Sequence, residues 1–317
     1  MSRPLDHGWG RRGAASMMPG RRPDGPPNAI EVFMTRRLVF GIAAAAAAIA
    51  LSTVTLAAPP AQAGAYRGRG GLTAIGLTAD QWLVRFDVTR PERAASIGRV
   101  SGLQGDNRLI GIDYRVQNSR LYGVGNAGGV YILSVGNASA SKVSQLTVGL
   151  SGTSFGVDFN PAADRLRVIS DTGQNLRHDV VGGTTTNDTT LTYPPAAGAA
   201  VGLVGAAYTN NDLNADTGTV LYDIDTNLDQ VSLQSPANSG QLVFVGKLGV
   251  DAGIHAGFDI YSTLRGGNGV DLRGFATLTT SGRSSLYAIS LTNGAAWRNG
   301  SFPNGWAVTD LALPLNQ

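Results

Sequence analysis

Four aspartates stand at matched places in a short phrase that recurs along this chain. Ile110-Gly111-Ile112-Asp113-Tyr114 returns as Phe155-Gly156-Val157-Asp158-Phe159 and as Ala256-Gly257-Phe258-Asp259-Ile260. Val308-Thr309-Asp310-Leu311-Ala312 is a weaker echo, and Val204-Gly205-Ala206-Ala207-Tyr208 carries alanine where the others carry the acid. If these phrases line one axis, Asp113, Asp158, Asp259 and Asp310 gather four carboxylates at a channel mouth. Such a group suits a cation or a polyol, since hard cations take several oxygen ligands. A simpler use is that each aspartate accepts backbone N–H groups from its neighbour at a crowded strand end.

Other residues carry weaker chemical signals. Asp212, Asn214 and Asp216 place oxygens in alternation, as a calcium loop begins, but the glycine that follows is one residue late and the twelfth position is Asp223 rather than glutamate. Asp223, Asp225, Asn227 and Asp229 form a second oxygen-rich set at a turn. Asx side chains in turns commonly bond their own backbone, so calcium is the one cofactor the sequence suggests, and only at these loops. Gly152-Thr153-Ser154-Phe155-Gly156 matches the nucleophile pattern of hydrolases, which needs strand, sharp turn and helix. The residues after Ser154 read as a strand, and after residue 63 the only candidate bases of the histidine type are His178 and His255. Gly123-Val124-Gly125-Asn126-Ala127-Gly128 matches a dinucleotide fingerprint, yet a strand follows it where a helix is required. Trp297 and Trp306, among Asn, Arg and Gly, could stack on a sugar. No catalytic residue is assigned.

The elements that must position these groups follow from the spacing. The phrases start 45, 49, 52 and 52 residues apart, a period typical of propeller blades. Each repeat divides into four short, alternating strands separated by Gly, Asn, Asp and Ser, with the last strand of the second repeat expected at 189–193 and the first two of the fourth at 257–261 and 274–279. The segment 307–313 supplies one inner strand, and 72–77, 82–88 and 94–100 supply three more. Joined, they make a fifth blade and close the ring without a long free edge. The expected fold is therefore an all-β, five-bladed β-propeller closed by pairing the N- and C-terminal strands, with a six-bladed or open ring as the alternative.

Residues 1–33 are polar and Arg/Pro-rich, and read as a disordered extension or a start codon assigned too early. Residues 34–63 have the order of a signal peptide: basic Met34–Arg37, an apolar run from Leu38 to Ala58, and Ala61-Gln62-Ala63 as cleavage site. Arg36-Arg37 leaves twin-arginine export open beside the general route. Residues 64–317 form the single propeller domain, a secreted, extracellular chain with no membrane span after cleavage. They keep 18 Lys+Arg and 19 Asp+Glu, so the net charge is about −1 and nothing suggests nucleic acid. The chain has no cysteine, which excludes disulfides and thiolate metal sites.

The phrases Ser151–Pro161, Asp164–Val168, Asp171–Arg177, Ala207–Asn211 and Leu221–Asp225 resemble, in order, a bacterial secreted family known as domain of unknown function 4394. The resemblance spans roughly residues 72–313. It implies an exported, repeat-built β-domain and brings no catalytic residues. The expected function is an exported, non-catalytic binding or scaffold module, monomeric, for a glycan, peptide or cell-envelope partner. The alternative is an extracellular, glycan-active hydrolase or lyase using aspartates near the axis. By fold analogy such enzymes need two carboxylates, and Glu92, in an outer turn, is the single glutamate after residue 63.

Overall fold

The computed structural model describes residues 71–214 and 216–315. The expected leader lies outside these residues. The described chain folds into five four-stranded antiparallel sheets, a five-bladed β-propeller. Blade I is β4 (Leu109–Arg115), β5 (Arg120–Gly125), β6 (Gly129–Leu133) and β7 (Ala140–Gln145). Blade II is β8 (Phe155–Asn160), β9 (Arg165–Ser170), β10 (Asn175–Asp179) and β11 (Thr184–Asn187). Blade III is β12 (Leu203–Tyr208), β13 (Leu221–Asp225), β14 (Gln230–Gln234) and β15 (Leu242–Lys247). Blade IV is β16 (Ala256–Arg265), β17 (Asn268–Thr280), β18 (Arg283–Ile289) and β19 (Ala296–Ser301). Blade V takes its inner strand, β20 (Val308–Ala312), from the C-terminal end. Its other strands are β1 (Thr73–Thr78), β2 (Trp82–Asp87) and β3 (Ala95–Arg99). The β1–β20 pairing, Ile75 opposite Ala312 and Leu77 opposite Asp310, closes the ring. Among the described residues, helical structure amounts to two short 3-10 turns, Pro91–Arg93 and Ala237–Ser239.

The apolar residues of each strand face the neighbouring blades, so the core is a series of layers. Among the described residues there is one buried cluster at each blade junction. Blades I and II meet through Tyr122, Val124, Val157 and Phe159, and blades IV and V through Phe86, Phe275, Leu286 and Phe302. Edge-to-face rings mark both: Tyr122–Phe159 centroids are 5.2 Å apart and Phe86–Phe302 4.9 Å.

The junction of blades II and III is different in kind. Arg167 on β9 is 1% exposed. Its Nε donates to Tyr208 Oη (3.2 Å), Nη1 to Asn175 Oδ1 and Asp188 Oδ2 (both 2.7 Å), and Nη2 to Asn238 Oδ1 (2.8 Å). A buried charge with this many hydrogen bonds is tolerated where a lone one is not.

Two outer segments depart from the sequence reading. The fourth strand of blade II, expected at 189–193, lies at Thr184–Asn187. Asp188 turns in to Arg167 and Arg177, and the chain beyond it crosses to blade III, where Thr192 bridges Gln241. The first two strands of blade IV, expected at 257–261 and 274–279, form a longer hairpin that turns at Gly266 and Gly267. Positive φ at both (61° and 84°) suits the tight primed turns of hairpins.

Candidate functional site at the propeller axis

The repeated phrase finds its explanation at the axis. Its glycine and its aspartate lie two residues apart, so both face the next blade. A Cβ on Gly156 would lie 2.7 Å from Ala206 N, and one on Gly257 2.3 Å from Asp310 Cα. Only glycine allows the inner strands to come this close.

Each aspartate then fastens the next blade in the ring. Asp113 accepts Phe159 N–H (2.8 Å), Asp158 accepts Tyr208 N–H (2.7 Å), Asp259 accepts Leu313 N–H (2.6 Å) and Asp310 accepts Ile112 N–H (2.7 Å). Where blade III has Ala207, the corresponding Ile260 N–H is taken by Oδ1 of Asp259 itself (2.6 Å).

Asp113, Asp158 and Asp259 come together: one oxygen from each lies within 4.8 Å of the others, and all three are buried. Asp310 sits beside the glycine layer instead, against Gly111 and Gly257. Burial pushes Asp113 well above the ordinary carboxylate value, and the charge of Asp259 adds to this. Burial, then the charges of Asp113 and Asp259, raises Asp158 in the same way. Asp259 is pushed up to about 7, chiefly by burial, and burial also raises Asp310. A layer with no cationic partner holds protons in place of counter-charges. Its three carboxyls are also the described residues best placed to share a hard cation, because they converge and differ in blade.

The other expected site residues are dispersed. Asp212 accepts Asn214 N–H (2.9 Å) and, from the tip of the long hairpin, Gly269 N–H (3.0 Å); Asn214 accepts Asp216 N–H (3.0 Å). These are turn-type bonds to backbone, with the hairpin packed on the loop. Trp297 lies on the outermost strand of blade IV, 38% exposed. Trp306 is half-buried against the cluster of blades IV and V and lines a depression with Arg283, Phe302 and Pro303. Asp223, part of the second oxygen-rich set, is buried with neither carboxyl oxygen hydrogen-bonded. Burial raises its pKa well above the usual value, against the lowering effect of the Arg167 charge.

Where the inner strands begin, a depression of about 80 Å³ opens at the axis between Ile110, Phe155, Val204 and Ala256. Arg108, Ser154 and His255 line it too. Ser154 Oγ and His255 Nδ1 lie 2.9 Å apart, although 101 residues separate them in sequence. Loss of solvent around the ring lowers the His255 pKa, and Arg108 lowers it further, so the imidazole is neutral at pH 7. Strand β8 starts directly after Ser154, so no nucleophile elbow is formed. The pattern Gly123–Gly128 likewise falls on β5 and the turn into β6, with Gly128 at φ 86°. The sequence could not pair His255 with Ser154 or single out Arg108, because only ring closure brings blades I, II and IV to one rim.

The family described as domain of unknown function (DUF4394) matches residues 82–312. The chain belongs to this DUF4394 family. A comparison with curated proteins gives no match. Among solved structures, this DUF4394 chain is similar to a chain of a nidogen/laminin complex, at 12% identity and TM-score 0.42, covering 77% of this chain and 86% of that one. It is also similar to a protein of unknown function from Bacteroides thetaiotaomicron, at 12% identity and TM-score 0.41, covering 78% and 66%. A third is a glutaminyl cyclase from Myxococcus xanthus, at 13% identity and TM-score 0.36, covering 65% and 89%.

Proposed function

We propose that this DUF4394 protein is an exported binding module that takes its ligand at the mouth of the propeller axis. One observation carries the reading. At the rim, Arg108 bonds Asn126 through its backbone alone, and its guanidinium, with no ion pair or hydrogen bond among the described residues, stands beside the Ser154–His255 pair over a depression. Polar groups converging on a concave, rigid site are what a binding pocket requires. Export is supported by the order of residues 34–63 in the sequence. A glycan, a peptide or a cell-envelope component remains the class of partner.

The second reading, a glycan-active hydrolase or lyase, draws on the axial carboxyls. Glycosidases set their two carboxyls roughly 5–9.5 Å apart around a sugar. Asp113, Asp158 and Asp259 approach within 4.8 Å and are buried, which leaves no room for a sugar ring between them, so this reading has less support.

The test is thermal unfolding of the protein against sugars, peptidoglycan fragments, peptides and divalent cations, with a chelator control. A ligand at a hundred times its Kd adds about 2.7 kcal/mol. A shift that His255→Ala removes supports the mouth as the site. A shift that persists in His255→Ala places binding elsewhere.

A further inference from the structure

We infer that the mouth of the axis recognises a carboxylate group on its ligand. The inference rests on the binding reading above and deepens it.

The depression is lined by one cation, Arg108, and by no acidic residue. The acids around it are engaged or buried. Asp171, the carboxylate that acts on His255, accepts Thr153 N–H (2.9 Å) and Thr153 Oγ1–H (2.6 Å). Asp310 lies beneath the rim, buried, with its pKa raised by that burial. Other rim groups are also taken. Gln81 Oε1 accepts Leu109 N–H (2.6 Å) while its Nε2 donates to Leu109 O (3.2 Å), and Thr309 Oγ1 donates to Leu77 O (3.2 Å). What stays open is the Arg108 guanidinium and the Nε2 of His255.

The serine sets what Nε2 can do. Ser154 is 4% exposed, and its Oγ has His255 Nδ1 as hydrogen-bond partner. With the hydroxyl donating to Nδ1, the ring proton sits on Nε2, which becomes an outward donor. The mouth thus offers a guanidinium fork and an imidazole N–H, both donors, to an oxyanion. Guanidinium geometry matches a carboxylate in two parallel bonds. One permanent positive charge balances a monoanion and leaves a phosphate dianion short of one. A space of about 80 Å³ takes a head group and leaves the rest of the ligand in solvent.

The experiment is a titration followed by the imidazole resonances of His255, assigned with His255→Gln. The probes are N-acetylalanine, its neutral amide, and inorganic phosphate, at low ionic strength and pH 7. N-acetylalanine should shift the resonances and the amide should not. Arg108→Ala should weaken the acid about tenfold or more, since a charge-assisted pair is lost. Equal binding of acid and amide, or tighter binding of phosphate, overturns the inference. If the amide shifts the resonances as the acid does and Arg108→Ala changes neither, the pocket stands and the carboxylate inference fails. If no probe binds and the wider ligand panel gives no thermal shift, both fail.

Discussion

Asp158 and Arg167 sit directly opposite one another in the β8–β9 ladder. Both are buried, both face blade III, and their charges are opposite. Yet Arg167 pairs with Asp188 (2.7 Å), and Asp158 turns to the Tyr208 N–H and to its fellow aspartates at the axis. One charge is neutralised by a side-chain network, the other by a proton and backbone donors. The contrast shows two ways of joining blades. The network needs several partners at once, whereas the repeated aspartate needs only the next strand's N–H and so can recur around the ring.

Breaking the network should have the largest effect. Arg167→Met leaves Asp188, Asn175 and Asn238 without their shared donor and should cost about 3–5 kcal/mol in urea unfolding. Arg177→Met removes the partly exposed partner of the same Asp188 and should cost about 1 kcal/mol or less. Equal losses would mean that Arg167 does not fasten the junction.

The axial device should be weaker at each position. Asp158→Ala leaves the buried Tyr208 N–H unpaired and should cost about 1–3 kcal/mol. Asp158→Asn keeps an acceptor and should cost clearly less. If both substitutions cost the same, the hydrogen bond to blade III is not what the aspartate contributes.

Acidity sharpens the same comparison. Asp113, Asp158, Asp259 and Asp310 have pKa values raised in the fold, so the folded protein holds protons that the unfolded chain releases above about 3.8. Their contribution to stability is present at acidic pH and falls as pH rises, through about 7 for Asp259. His178 and His255, whose pKa values are lowered, act in the opposite sense and cost stability as pH falls below about 6.5. Asp259→Asn should therefore flatten the decline between about pH 4 and 7 in chemical unfolding curves. An unchanged slope would show that Asp259 is ionised in the fold. The smallest effect belongs to the rim: Arg108→Ala should leave stability within about 0.5 kcal/mol, whatever it does to ligand binding. A large loss would make Arg108 part of the framework.

Much of this was legible in the residues. The phrase of glycine and aspartate at a period of about fifty residues gave the blades, and the unmatched strands at 72–100 and 307–313 gave the closure, because both follow from local alternation and spacing. The outer strand of blade II was misplaced because Asp188 is drawn inward by Arg167, a contact between strands that no local pattern records. The long hairpin of blade IV was cut short because its middle, Ser262–Leu272, alternates poorly beyond the blade edge.

By itself, the sequence determined the all-β repeat and the acids that recur in it, and favoured five blades over six, since these depend on period and on residue type. Tertiary structure alone decided which acids meet and what stands at the rim. Asp310 repeats the pattern yet lies off the carboxyl layer, against Gly111 and Gly257. Ser154 and His255 become neighbours only when blades II and IV are brought round one axis. Distances across a closed ring are set by the packing of all its blades, and no segment of the chain contains them.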